Sequence, residues 1–476
     1  MSIPLFSYIY IGILFSVFLL SSSFKRAYMA NVAILFFIEI VYNQGYFIQI
    51  GTSEITLQFF QSFIVFLFSF IYMVLKYKHN NKVTVSLFVF FMMPLFSILF
   101  QFIFPYNGDV LYTYSGEDSW DEYVLGQISM HKYNFDTMPY LVNYVKIIIY
   151  GMMIYVMKML LEPNDIYVLL KRITKWSIVV VIYGYIEMVV KNLFSMPQAG
   201  YKFTEFLFGA SQATYSWESA IVMSDGWYKL QGFTREPSHY VMSLFIFSLL
   251  ILIAIKYQKT NNLVTPKYYY VELLLTSIIL PMTGGMSAIW CIVSLIFVTM
   301  ILFMDRTVSL YKMLKGVFIL LIVIGIIGIS LQYLLNNSDA ILIERFSRSL
   351  DTASVLALSQ NITFMKGMDI STLARFTSIV TCFDIWIENP LFGLGKGIIT
   401  AHDFTVNMLV CTGILGCASW YYYLTSCFYG KGKYDHLLLL ILLLFIFLPI
   451  GPNGGWYVFF YFFLIAESTV LYMHKR

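Results

Sequence analysis

Charge is scarce in this sequence. Only 12% of its 476 residues are Asp, Glu, Lys or Arg, about half the share of an ordinary soluble domain, and a water-soluble globule of this length is excluded. Cysteine is scarce too. The five thiols, Cys291, Cys382, Cys411, Cys417 and Cys427, form no C-x-x-C pair, and four lie within apolar runs. They read as small buried hydrophobes rather than as a disulfide or metal site. There is no internal repeat, no low-complexity tail and no basis for dividing 1–476 into domains. The basic residues occur only in short clusters, which argues against a nucleic-acid partner. No cofactor or metal is called for, and the G-x-x-x-x-G-K-[ST] spacing of a nucleotide loop is missing. The first apolar run, Ile3 to Leu20, has neither a basic leader nor an A-x-A-like cleavage site, so it reads as a retained helix.

What the chain has instead is apolar length. Mean hydropathy is +0.75 and 59% of the residues are hydrophobic. Apolar runs of roughly 17–24 residues recur from end to end, each long enough to cross about 30 Å of hydrocarbon. The expected fold is an all-α polytopic membrane protein with about 13 spans: 3–23, 27–48, 55–75, 83–104, 140–160, 176–196, 237–256, 268–283, 286–304, 316–335, 403–427, 436–451 and 456–473.

Charge then sets the orientation. Alternate gaps hold Lys25, Arg26, Lys76, Lys78, Lys82, Lys171, Arg172, Lys175, Lys256, Lys259 and Lys267, and further on Arg306, Lys312, Lys315, Lys431, Lys433, Lys475 and Arg476. The intervening gaps hold most of the acids, including Glu117, Asp118, Asp121 and Glu122. By the positive-inside rule the basic set is cytoplasmic, with the N-terminus outside and the C-terminus inside. Three long loops then fall outside: an acidic one at 105–139, one at 197–236, and the largest at 336–402.

Polar residues cluster at that outer face. The stretch QGFTREPSHYVMS, Gln231 to Ser243, opens an apolar span. Pro237 suits a first helical turn, and Glu236 before it could accept from the helix start. Arg235, Ser238 and His239 surround the positive end of that helix. One alternative is an ordinary helix start with an interfacial arginine; the other is a site for an anionic headgroup beside an acid or base. A second cluster, Arg375 to Phe404, begins as an amphipathic helix. It carries Leu373, Phe376, Ile379, Val380, Phe383 and Ile387 on one side and Thr377, Thr381, Asp384 and Glu388 on the other. Pro390 ends it, Gly393, Gly395 and Gly397 make a flexible turn, and His402 and Asp403 open the next span. Four arginines, Arg235, Arg345, Arg348 and Arg375, lie outside against the charge bias, and arginine grips phosphate oxygens bidentately.

Aromatics in the outer loops (Trp120, Tyr215, Trp217, Trp227, Tyr228 and Trp386) suit sugar stacking or an interfacial belt equally well. Glu117 to Glu122 reads as a solvated run rather than a divalent-cation site. Glu187 and Lys191, four apart, are expected to pair. Glu39 and Asn43 would form a polar stripe facing other helices.

The segment GFTREPSHY, Gly232 to Tyr240, resembles the motif that opens a span in bacterial O-antigen and capsule polymerases. Arg375 to Gly416, with N-P-L-F-G-L-G-K-G, His402 and T-G-I-L-G at Thr412–Gly416, is similar to the core of the O-antigen polymerase and ligase superfamily. Asp403 stands where Asn is more usual. The resemblance implies transfer of a glycan from an undecaprenyl-pyrophosphate carrier at the outer face of the bacterial cytoplasmic membrane. It implies lipid-linked oligosaccharide and the growing glycan as substrates, and a chain-length regulator as a partner. Arg235 and Arg375, with Arg345 and Arg348, would hold the pyrophosphate; Glu236, His402 and His239 are the candidate acids and bases. Polymerase is favoured over ligase by the intact REPSH and the long loops flanking it and His402. A flippase or other secondary transporter would show repeated halves and midplane ionisable groups, whereas the polar residues here gather at one face.

Overall fold

The computed structural model of the protein describes residues 3–41, 46–50, 53–75, 85–111, 130–132, 137–196, 202–203, 206–207, 228–234, 237–283, 286–303, 370–395 and 403–426. These are mostly helical. In chain order they form α1 (Leu5–Leu20), α2 (Phe24–Val41), β1 (Tyr46–Ile50), β2 (Ser53–Thr56), α3 (Leu57–Leu75), α4 (Val85–Ile103), β3 (Asp109–Leu111) and β4 (Met130–Lys132). There follow α5 (Thr137–Leu160), α6 (Pro163–Met188) running into a π-turn (Val189–Leu193), α7 (Pro237–Thr260), α8 (Lys267–Met282), α9 (Met286–Phe303), α10 (Ile370–Glu388) and α11 (Phe404–Ser426).

Among the described residues, four stretches are long and apolar enough to cross a membrane: Leu57–Leu75, Asn164–Leu193, Pro237–Lys259 and Phe404–Tyr422. Shorter apolar helices join them, among them Leu5–Leu20 and Phe88–Ile103. Large apolar side chains on these helices face outward, with Phe18 71% and Leu20 84% exposed. Uncharged helices that bare phenylalanine and leucine require a non-aqueous surround. The protein is membrane-embedded. The expected spans 316–335, 436–451 and 456–473 lie outside the described residues, as does the acidic run Glu117–Glu122.

The helix boundaries depart from expectation in two places. The second span was expected over 27–48, but α2 runs from Phe24 to Val41, and Tyr46–Ile50 pairs antiparallel with Ser53–Thr56. A short hairpin satisfies the backbone in this polar stretch more readily than a helix would. The sixth span was expected to begin near 176, yet α6 starts at Pro163. Glu162 caps it, accepting from the Asp165 amide while the Asp165 carboxylate accepts from the Glu162 amide at 2.8 Å. A proline at the first helical position completes the start.

The chain folds as two compact units. The described residues of one fall in 3–75 and 152–303, and those of the other in 85–151 and 370–426. In the first unit α7 is the hub. It packs against α2, α6, α8 and α9, and Leu244, Phe245, Ile246, Leu249 and Leu250 are buried on all sides. Without a hydrophobic drive between helices in lipid, polar contacts and close packing hold them together. Gln61 on α3 illustrates this, donating to the Asn31 carbonyl of α2 at 2.7 Å and accepting from Tyr10 of α1. Tyr28 reaches Ser69 at 3.2 Å and the Met153 carbonyl at 3.2 Å. Glu39 is buried, and Asn43 lies outside the described residues.

Several basic positions share one end of this unit. Lys25 pairs with Asp165. Tyr167 stacks on Tyr257 at 4.6 Å and accepts from Gln258 at 2.6 Å. Lys256 and Lys259 sit over the Phe303 ring at 5.4 and 5.1 Å. The starts of α2 and α6 and the ends of α7 and α9 therefore meet, with Lys25, Lys256 and Lys259 among them.

In the second unit α4 packs along α11 and α10 packs on α11. Phe90 meets Trp420 with ring centroids 4.8 Å apart. β3 and β4 pair antiparallel. The four described cysteines are free and buried, as the sequence suggests.

Close helix contact sets a test. A Cβ on Gly184 would lie 1.9 Å from the Tyr240 hydroxyl and 2.6 Å from Ile279, whereas Gly12 has nothing within 4 Å. Gly184→Val should destabilise the detergent-solubilised protein by about 1–3 kcal/mol, read as a lowered Tm. Gly12→Ala should leave Tm unchanged; equal effects would mean that α6 and α7 do not meet here.

Candidate functional site

The residues leading into α7 are strapped to the end of α6 by side chains that reach their backbone. Asn192 accepts from the Tyr228 amide at 2.7 Å and donates to the Tyr228 carbonyl at 3.2 Å. Lys191 donates to the Lys229 carbonyl at 3.3 Å. Glu187 accepts from the Gly232 amide at 2.6 Å and from the Gln231 amide at 3.2 Å. Thr234 closes the turn, its amide and hydroxyl donating to the Gln231 carbonyl at 3.0 and 2.7 Å.

The expected Glu187–Lys191 pair is present, Nζ to Oε1 at 2.5 Å, with both side chains buried. A buried carboxylate is tolerable only when its charge is matched and its lone pairs are taken. Lys191 and two backbone amides do that. Sequence reasoning missed the second half of this role, because a loop 44 residues away cannot be read from helical spacing. The π-turn at Val189–Leu193 adds a residue to the helical turn and carries Lys191 and Asn192, which hold the strap.

Rings complete the anchorage. Tyr183 stacks on Phe233 with centroids 3.8 Å apart and planes 12° from parallel. Gly232 has φ 58°, and a Cβ there would lie 2.4 Å from the Tyr240 ring, so only glycine fits. Tyr240 in turn donates to the Val180 carbonyl at 3.1 Å. Of GFTREPSHY, Gly232, Phe233 and Tyr240 thus fix the chain. Pro237 opens α7 as expected. His239, half-buried in the first turn, offers its carbonyl to the Ser243 hydroxyl at 2.9 Å. Arg235 and Glu236, between the anchored Thr234 and Pro237, lie outside the described residues.

In the second unit the described part of the glycine-rich turn, Gly393 and Gly395, is tied down by backbone hydrogen bonds where a flexible turn was expected. Gly413 has φ 66° and ψ −175°, which breaks α11 into 404–412 and 414–426. In an unbroken helix the Ile414 and Leu415 amides would donate to Val410 and Cys411. They donate instead to the Pro390 and Leu391 carbonyls at 2.8 and 3.4 Å. The freed Val410 and Cys411 carbonyls accept from the Leu394 and Gly395 amides at 2.7 and 2.8 Å. These two amides and two carbonyls are thus all repaired by the N-P-L-F-G-L-G segment.

That exchange needs two bare Cα atoms. A Cβ on Gly413 would lie 2.1 Å from the Leu391 carbonyl oxygen, and one on Gly393, at φ 65°, would lie 2.5 Å from that of Val410. A fully buried amide, Gln101, clasps the segment from α4, donating to the Gly393 carbonyl at 3.1 Å and accepting from the Tyr106 amide at 3.0 Å. Cys382, Ile385, Leu394, Val410 and Cys411 form an apolar sheath around it. Gly397 lies outside the described residues.

Helix α10 forms where an amphipathic helix was expected. Ser378, Cys382 and Ile385 are buried, while Phe383 is 41% and Ile387 58% exposed. Phe383 and Ile387 of the apolar side thus face out of the fold, as they would toward lipid, and so do Asp384 and Glu388 of the polar side. Arg375 is carried by this helix, its side chain outside the described residues. Arg345, Arg348 and His402 also lie outside them. Asp403, next to His402, is the N-cap of α11, accepting from the Val406 amide at 2.8 Å. Asn serves that position equally well. Of the outer aromatics, Trp386 donates to the Pro390 carbonyl at 3.1 Å; Trp120, Tyr215, Trp217 and Trp227 are outside the described residues. Among the described residues no group of three or more His, Cys, Asp or Glu could hold a metal.

The chain matches no protein-family model, and no curated protein matches it.

The buried pair gives the sharpest test of this geometry. Lys191→Met leaves Glu187 charged and buried and should cost about 3–5 kcal/mol. Adding Glu187→Gln should restore a large part of that loss in thermal unfolding. Additive losses would mean that the two side chains do not share the strap. At the second anchor, Asp403→Ala should cost about 1 kcal/mol and Asp403→Asn almost nothing; an equal loss in both would remove the cap.

Proposed function

We propose that the protein is a membrane glycosyltransferase that polymerises lipid-linked oligosaccharide repeat units into a surface polysaccharide. The observation that carries this reading is the backbone exchange between N-P-L-F-G-L-G and T-G-I-L-G. Two separate pieces of the resemblance, some twenty residues apart in sequence, are docked bond for bond. A chance likeness of short motifs gives no reason for them to meet. The second motif, GFTREPSHY, is likewise built onto its helix by a dedicated carboxylate.

In this reading the chain crosses the bacterial cytoplasmic membrane thirteen times, with basic loops inside and the long loops outside. The donor is a glycan on undecaprenyl pyrophosphate. An acceptor hydroxyl attacks the anomeric carbon, the bond from that carbon to the pyrophosphate oxygen breaks, and undecaprenyl pyrophosphate leaves. The hydroxyl proton passes to a base, Glu236 or His402, with His239 beside the first of these. Arg235 and Arg375, and further out Arg345 and Arg348, offset the negative charge that develops on the leaving group. The energy resides in the donor's pyrophosphate leaving group, so no nucleotide is needed. Anchoring on both sides of Arg235 supports this role, because a charged clamp must be held against the pull of its own ligand.

Arg235→Ala and Arg375→Ala should each abolish polymer while the protein remains inserted and expressed. Normal polymer in both variants would remove the clamp. A cysteine near Gly226 should react with an impermeant thiol reagent applied from outside, and one near Lys259 should not. The reverse pattern would invert the orientation and the mechanism with it.

A further inference from the structure

A cleft of about 470 Å³ opens in the second unit between the end of α4 and the turn after α10. Its size is that of a small-ligand site. Its walls are held, not loose. Gln101 bonds to both sides, to the Tyr106 amide on one and the Gly393 carbonyl on the other, and Phe100 packs on Phe392 with centroids 5.1 Å apart. The expectations drawn from the motifs did not include this cleft.

The chemistry of the lining selects its ligand. Phe100, Phe104, Tyr106 and Phe392 line it with aromatic rings, whose negative quadrupole attracts the weakly positive C–H groups of a saturated ring. Glu388, Asn389 and Asn107 supply the polar groups. Two helices, α4 and α10, end at this cleft, so their carbonyl termini add negative potential to that of Glu388. An anion such as pyrophosphate is repelled here. A cation would use the carboxylate and the amide oxygens but leave the amide N–H donors unmatched. A hydroxyl both donates and accepts, so it satisfies Glu388 and the amides together. Apolar faces beside hydroxyls are the signature of a sugar ring.

We infer that this cleft is a saccharide subsite, in which the aromatic walls stack on a sugar ring while Glu388, Asn389 and Asn107 bind its hydroxyls. The inference rests on the polymerase reading only for which glycan the cell supplies, not for the class of ligand. Under that reading the cleft takes the glycan away from its pyrophosphate, because the local charge excludes the latter.

Saturation-transfer NMR on the full chain in nanodiscs tests it. The probes are neutral oligosaccharides released from the surface polysaccharide of the cell that makes the protein, with maltotetraose, inorganic pyrophosphate and phosphocholine for comparison. The oligosaccharides should show transfer. Glu388→Gln and Phe104→Ala, both at exposed positions, should each weaken binding about tenfold. No transfer to any sugar, transfer that neither variant alters, or a response to phosphocholine or pyrophosphate that Glu388→Gln abolishes would overturn the inference. Polymer assays separate the two failures. Intact sugar binding with no effect of gene deletion on surface polysaccharide would sink the polymerase and keep the subsite. A polymerisation defect on deletion without sugar binding would do the reverse.

Discussion

A helix that breaks in apolar surroundings must find new partners for the amides and carbonyls it frees, since an unsatisfied pair costs several kcal/mol there. The break at Gly413 meets that demand with one segment. Pro390 and Leu391 take the orphaned amides, while Leu394 and Gly395 serve the orphaned carbonyls. Much of the second unit's geometry near this point follows. The glycines at 393 and 413 must lack a Cβ, and Gln101 must be buried to clasp the segment. The same segment supplies one wall of the adjoining cleft.

The first unit solves a related problem with charge. An irregular stretch, 228–234, lies against α6 with backbone groups that need partners. Glu187, Lys191 and Asn192 provide them from one helical end. Each unit thus holds a motif-bearing segment rigid immediately before a helix that carries candidate polar residues. Rigid presentation of a few charged groups is what transfer from a pyrophosphate donor requires, and it is why this reading is preferred to a transporter, where the polar groups would be expected at midplane.

The legible parts of the sequence were those governed by local rules. Apolar length announced the helices, Pro237 marked the start of α7, and Glu187–Lys191 followed from four-residue spacing. The start of α6 was missed because its first turns are polar, although Glu162, Pro163 and Asp165 carry a capping signature. Three glycines within five residues suggested flexibility. Gly393 and Gly395 are locked instead, because what glycine provides there is close approach of backbones, and that depends on a partner segment no periodicity reveals. Which residues of α10 meet the protein was not legible either: Ser378 and Cys382 turn inward, a contact that amphipathic spacing does not specify. The cleft could not have been foreseen, since Asn107 and Asn389 meet only through the fold.

The central claim is that this fold joins lipid-linked glycans, and surface polysaccharide is its direct readout. Gel profiles from a deletion strain, complemented with wild type or with His402→Ala, decide it. A single repeat unit on the anchor in the deletion strain, with a full ladder restored by wild type and not by His402→Ala, is the predicted result. An unchanged ladder in the deletion strain would contradict it.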